Sequence, residues 1–186
     1  MNIRKGLISD IDNLENLYNN LNDYLEANIN YPGWIKHVYP IRETAIKGIE
    51  EKSLFVGEDN DIILGSIILN HTPEDAYNQV KWKIDTDYKN IIVIHTLVTN
   101  PDFMNQGVAS ELINFAKQHS SALNMKSIRL DVSINNTAAI SLYEKHGYEY
   151  IGTVDLGLGY EHLKWFRLYE LTLKYGNSLQ IQFIYY

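Results

Sequence analysis

Three residue patterns in this chain could do chemistry. The first is Met104-Asn105-Gln106-Gly107-Val108-Ala109-Ser110, which follows the apolar run Ile91–Thr99 and leads into Ala109, Leu112, Ile113 and Ala116 at helical spacing. A helix that starts at a glycine presents unpaired N–H groups and the positive end of its dipole. Gly107 therefore opens a site suited to a pyrophosphate, and the small Ala109 would not crowd it. The same residues also fit a plain strand-to-helix turn. The second pattern is Asn136, Ala139, Leu142, Tyr143, Gly147 and Tyr148, a short helix capped by Asn136 and ended by Gly147. Within it Tyr143 carries a phenol that, with a solution pKa of about 10, stays protonated at neutral pH and can act as a donor. Tyr143 also fits a core position beside Leu142 and Ala139. The third is His95, placed by strand alternation on one face with Val93, Leu97 and Thr99. An imidazole, with a solution pKa of about 6.5, suits proton removal at physiological pH. A buried structural histidine is the other reading.

These groups need elements to position them, and the periodicity supplies a set. Residues 2–8 read as a strand, followed by a helix capped at Ser9 or Asp10 with Ile11, Leu14, Tyr18, Leu21 and Leu25 on one face. Tyr31-Pro32-Gly33-Trp34 is a turn, and 42–51 a second helix weakened by Gly48. Strands at 53–58 and 62–70 flank Asp59-Asn60-Asp61, a hairpin composition. Residues 71–90 are polar with Tyr77, Trp82 and Tyr88 embedded, and periodicity assigns them to no element. A strand at 91–99, a helix from about 106 to 122, a strand at 127–133, the Asn136 helix and strands at 148–155 and 163–173 complete a mixed α/β order.

Composition sets the outer bounds. A chain of 186 residues suits one domain, and 45% hydrophobic with 21% charged residues is ordinary globular usage. The absence of cysteine removes disulfides, thiolate metal sites and a cysteine nucleophile. The six histidines have no zinc-type spacing, and Asp10-x-Asp12 and Asp85-x-Asp87 lack the other ligands of a calcium loop, so no metal is expected. A net charge of −7, from 16 basic against 23 acidic residues, argues against nucleic acid as a partner. No apolar run approaches the ~20 residues of a membrane span, and the N-terminus has no leader pattern, so a cytoplasmic location is expected.

At Asn136-Thr137-Ala138-Ala139-Ile140-Ser141-Leu142-Tyr143-Glu144-Lys145-His146-Gly147-Tyr148 the sequence resembles the GNAT superfamily of acyl-CoA-dependent N-acetyltransferases. That family's motif Asn-x-x-Ala-x-x-Leu-Tyr-x-x-x-Gly-Phe/Tyr is met at every spacing. Its other motif, Gln/Arg-x-x-Gly-x-Gly/Ala, falls on residues 104–109, with Met104 in place of the usual Gln or Arg and with Asn105 and Gln106 in place of basic residues.

The resemblance implies a single-domain GNAT-like fold over residues 1–174, with a mixed, mostly antiparallel sheet, flanking helices and a splayed central strand. It implies acetyl-CoA as cofactor and direct acetyl transfer to a primary amine, on a small molecule or a peptide. By the same resemblance, the main chain of Leu97, Val98 and Thr99 would bind the pantetheine arm. Met104, Asn105, Gln106, Gly107, Val108, Ala109 and Ser110 would cradle the pyrophosphate. Asn136 and Ala139 would contact the cofactor, Tyr143 would face its sulfur, and His95 would be the base. Tyr31, Trp34, Tyr77 and Trp82 fall where the family builds its acceptor pocket, although such aromatics also serve as packing under loops. The alternative function is an acyl-CoA-binding regulatory module, for which Met104 is the argument. Residues 175–186 extend past the usual family end, alternate as an extra strand and suggest pairing within the fold or across a homodimer.

Overall fold

A computed structural model of the chain describes residues 1–173, so the extra strand expected at 175–186 lies outside the described residues. Seven strands form one sheet: β1 (Asn2–Lys5), β2 (Leu54–Asp59), β3 (Ile62–Asn70), β4 (Ile91–Thr99), β5 (Ser127–Ser133), β6 (Glu149–Asp155) and β7 (Trp165–Thr172). Their spatial order is β1-β2-β3-β4-β5-β7-β6, antiparallel at every pairing except β4 with β5. The β2–β3 hairpin turns through Asn60 and Asp61, both at positive φ (49° and 63°), which is the two-residue turn whose twist matches flanking strands.

Four helices cover the sheet: α1 (Ile11–Ala27), α2 (Arg42–Glu50), α3 (Val108–Ala122) and α4 (Thr137–Lys145). On one face α1 buries Leu14, Leu17, Tyr18, Leu21 and Leu25 against Leu54, Val56, Ile68 and Val98. On the other, Leu112, Ile113 and Ala116 of α3, with Ile140 and Tyr143 of α4, pack on Ile92, Ile94, Ile128 and Leu130. A third, smaller cluster joins Tyr77 and Ala76 to Val93, Val154 and Leu168.

Helix α3 starts at Val108 rather than near residue 106, because Asn105 and Gly107 take left-handed φ values of 61° and 88°. The last strand starts at Trp165, after a short 3-10 turn at Glu161–Leu163.

The polar stretch that periodicity leaves unassigned carries two 3-10 turns, Asp75–Gln79 and Tyr88–Asn90. What holds it is a buried ion pair. Arg129 Nε donates to Glu170 Oε1 at 3.0 Å, with both side chains almost wholly excluded from solvent. The backbone N–H of Lys83 donates to Glu170 Oε2 at 2.7 Å, and Arg129 donates to the Ile84 carbonyl at 2.5 Å. The Trp82 and Tyr88 rings cover the guanidinium at 4.2 and 5.0 Å. Two charges can share a protein interior only when paired and hydrogen-bonded in this way, and removing one partner strands the other. Arg129→Met should therefore lower unfolding stability by about 3–5 kcal/mol, measured by denaturant titration.

Candidate active site

The parallel pairing of β4 with β5 covers only Ile91↔Ser127 through Ile94↔Leu130, although β4 runs on to Thr99 and β5 to Ser133. Beyond Leu130 the two strands part. On its other side β4 stays paired with β3, but with a bulge: Ile68 opposes His95 and Ser66 opposes Val98, so Ile67 faces two residues, Thr96 and Leu97. Thr96 takes φ 45°, a conformation unusual for a β-branched residue.

The extra residue breaks the alternation expected along the strand. His95 keeps the face of Val93, and Val98 joins the α1 side. Leu97 packs into the α3 side, and Thr99 pairs with Gly65, which lies against Val108 and Leu112 of α3. The shared face predicted for His95, Leu97 and Thr99 is thus corrected by one bulged residue. From His95 onward the edge of β4 that looks toward β5 has no strand partner among the described residues, which leaves backbone donors and acceptors there for a ligand.

The splay gathers side chains from four other segments. His95 Nε2 lies 3.0 Å from the Thr72 carbonyl. A carbonyl only accepts, so Nε2 carries the hydrogen and Nδ1 is left as the basic nitrogen. The Thr96 hydroxyl bonds to the Tyr39 hydroxyl, and Tyr39 is braced edge-on by Trp34 at 5.6 Å. On β5, Asp131 Oδ2 accepts from the Tyr77 hydroxyl at 2.8 Å. Tyr143 is buried, meets Tyr148 edge-on at 5.6 Å and has no hydrogen-bond partner for its hydroxyl among the described residues. Burial pushes the phenols of Tyr39, Tyr77 and Tyr143 up, and the Asp131 charge adds to each. Asp131 itself is pushed up by burial, against the opposing pull of the Tyr77 hydroxyl and His95.

The anion cradle follows β4. Asn100 caps a 3-10 turn at Pro101–Phe103 by accepting from Asp102 N–H at 3.1 Å, and the chain then reaches Gly107 at φ 88°. The first α3 bond runs from Glu111 N–H to the Gly107 carbonyl at 3.0 Å, so the N–H groups of Gly107, Val108, Ala109 and Ser110 precede it and find no carbonyl in the helix. No atom of the described residues lies within 4 Å of where a Gly107 Cβ would project, so the glycine is needed for its backbone angle and the space beside it is open among them. Met104 turns away and packs against the α1 cluster, and Gln106 bonds to the Asp102 carbonyl at 3.3 Å. Residues 104–110 carry no charged side chain, yet the row of free N–H groups at a helix start fits a pyrophosphate. Asn136 Oδ1 caps α4 by accepting from Ala139 N–H at 3.2 Å.

A family model of the acetyltransferase (GNAT) family matches residues 14–148. The chain belongs to the GNAT acetyltransferase family. Acetyl-CoA is the family's cofactor, and the cradle just described suits its pyrophosphate. An uncharacterised N-acetyltransferase of Methanocaldococcus jannaschii is 25% identical over 136 residues, which are 69% of this chain and 56% of that protein. The streptothricin acetyltransferase of Escherichia coli is 33% identical over 94 residues, 50% of this chain and 45% of that one. The matched stretch thus spans about half the length of these curated relatives. A GNAT-family acetyltransferase of Streptococcus agalactiae shares the fold at TM-score 0.75 and 20% identity, over 93% of this chain and 95% of that chain. A Salmonella typhimurium structure that contains acetyl-CoA aligns at TM-score 0.68 and 13% identity, over 94% of each chain.

Among the aromatics read from the sequence as acceptor contacts, the GNAT splay brings in Tyr77 directly and Trp34 through Tyr39. Trp82 lies behind Tyr77, in an open cleft of about 450 Å³ with Tyr88 and Arg129, and Tyr31 sits on the exposed loop after α1. Asp131, Tyr39 and Thr96 are the members that sequence reading missed. The Ile128-Arg129-Leu130-Asp131-Val132 alternation marks Arg129 and Asp131 as sharing a face, but only the fold shows that the 75–90 segment covers it.

Gly107→Ala should cost about 1–2 kcal/mol of stability through its left-handed φ, read by denaturant titration. It should also weaken acetyl-CoA binding by calorimetry, since the N–H groups shift with the backbone.

Proposed function

We propose that this GNAT protein is an N-acetyltransferase that passes an acetyl group from acetyl-CoA to a primary amine, of a small molecule or peptide, by direct attack in a ternary complex. The observation that carries this reading is the β4–β5 splay, with His95 on its α1 side and Tyr143 on its α3 side.

Acetyl-CoA supplies a thioester-activated acetyl group. The N–H groups of Gly107, Val108, Ala109 and Ser110 would hold its pyrophosphate, with Met104, Asn105 and Gln106 shaping the approach. The unpaired edge at Leu97, Val98 and Thr99 would take its pantetheine amides, and Asn136 and Ala139 would flank it. His95 holds one proton on Nε2 against the Thr72 carbonyl, so Nδ1 is the atom that takes the amine's proton. Only the neutral amine is a nucleophile, and an alkylamine with a pKa of about 10.4 is almost wholly protonated at pH 7. Tyr143 keeps its proton, because burial and the nearby Asp131 charge both oppose ionisation. A phenol held above the range of a thiol, about 8.5, gives a hydrogen bond to a departing sulfur rather than releasing its proton freely. The lack of cysteine leaves no thiol for an acyl-cysteine intermediate, which supports direct transfer.

Met104 favours a second reading, an acyl-CoA-binding module without turnover, because it removes a polar side chain from the cradle and places an apolar one in the core. Thiol release across a panel of amines separates the two, since the enzyme raises the rate above acetyl-CoA hydrolysis and the module does not. Tyr143→Phe should lower kcat about 100-fold and leave the Kd for acetyl-CoA within about twofold. His95→Ala should lower kcat to a similar degree, with partial recovery on adding free imidazole.

A further inference from the structure

We infer that Asp131 is the carboxylate that receives the acceptor's ammonium group, which makes the substrate class a cationic alkylamine. The inference rests on the acetyl-transfer reading above and deepens it.

Asp131 follows Leu130, the last β5 residue paired with β4, so it stands where the wedge opens. It shares the face of Arg129 and projects toward the 75–79 turn, where the Tyr77 hydroxyl reaches it at 2.8 Å. Among the described residues no lysine or arginine forms an ion pair with it. The cation nearest in sequence on that face, Arg129, is consumed by Glu170 and the Ile84 carbonyl. One hydroxyl is a thin shell for a carboxylate, and Asp131, half-buried on β5, is pushed toward its protonated form by that burial.

The groups facing it make a cation the fitting complement. Glu74, at the start of the 75–79 turn, adds a second negative charge. From β4 comes His95, whose Nε2–H is spent on Thr72. Tyr39, from the loop before α2, and Tyr143, from α4, feel the Asp131 charge as protonated phenols. An ammonium here would pair with the carboxylate and have tyrosine rings beside it. It would also lie on the side of β4 that His95 occupies, so the group that holds the cation and the group that deprotonates it serve the same nitrogen.

A purely structural role would make Asp131 an anchor for Tyr77. Asp131→Asn separates the two, since the amide oxygen still accepts from the Tyr77 hydroxyl while the charge is gone. With butane-1,4-diamine as acceptor, Asp131→Asn should raise the amine KM about tenfold or more and leave the acetyl-CoA KM unchanged. With aniline, uncharged at pH 7, the same substitution should change the amine KM several-fold less than it does with the diamine. Independently of turnover, the diamine should raise the melting temperature of the wild type and of Asp131→Glu, and butane-1,4-diol should not. The same diamine should leave the melting temperature of Asp131→Asn unmoved.

Equal amine KM values in wild type and Asp131→Asn, with thiol release intact, would overturn the subsite and leave the acetyl-transfer reading standing. Charge-dependent diamine binding without thiol release above background would uphold the subsite and sink acetyl transfer. A wild type whose melting temperature responds equally to diamine and diol would also overturn it.

Discussion

The short parallel ladder between β4 and β5 is the constraint on which the rest of this molecule depends. Its four residue pairs are buried on both faces, with Ile92, Ile94, Ile128 and Leu130 under α3 and Val93 under the 75–79 turn. That burial fixes the two strands side by side at one end. The bulge at Thr96 then adds a residue to β4 against β3, which bends β4 and ends its pairing with β5. A wedge between two rigid strands results, and its walls are backbone edges that cannot close on themselves. Burial at the closed end and unmet hydrogen bonding at the open end are two outcomes of one register.

The Arg129–Glu170 pair has a comparable role for the segment that covers the sheet. Residues 71–90 have too few apolar side chains to dock by hydrophobic burial alone, and Tyr77 and Trp82 supply most of what there is. Backbone N–H groups at Lys83 and Ile84 are drawn down to Glu170 instead. Because the anchoring charge is internal, the segment is held where water competes least for its hydrogen bonds. Tyr77 thereby arrives over β5 with its hydroxyl on Asp131. A buried polar network at the closed end of the wedge, two residues along β5 from Asp131, sets the position of one of its walls.

Local chemistry explains which parts were legible in the sequence. Gly107, Asn136 and Gly147 announce themselves because each is required by its own backbone: a left-handed φ at both glycines and a side-chain cap at the asparagine. The Asn60-Asp61 turn belongs with them. The bulge at Thr96 has no such signal. Threonine favours extended strand, and its positive φ goes with the bulge against β3, where its hydroxyl bonds to Tyr39. Asp131 and Glu170 were opaque for another reason. Their partners lie 54 and 41 residues away, and alternation alone cannot tell a face covered by a polar loop from one facing water. Likewise, strand alternation aimed Leu97 and Thr99 with His95 because it counts residues and cannot count a bulge.

The distribution of charge ties the two ends of the wedge together. A net charge of −7 repels a cofactor that is itself a polyanion. The proposed cradle would resolve this, since residues 104–110 carry no side-chain charge and offer backbone N–H groups with a helix dipole behind them. Acidic groups gather instead around Asp131 and Glu74, where the proposed acceptor would carry positive charge. With screening over about 8 Å at physiological ionic strength, fields from exposed charges fade within a few residues' width, so the two regions can keep opposite preferences in one small domain. Backbone donors also hold their directions without the rotamer freedom of lysine or arginine, so a cradle lacking basic side chains trades long-range attraction for fixed geometry. In the proposed reaction that trade suits the acidic chain: the anion is recognised at contact distance by backbone donors, and the cation meets carboxylates gathered at its own end of the wedge.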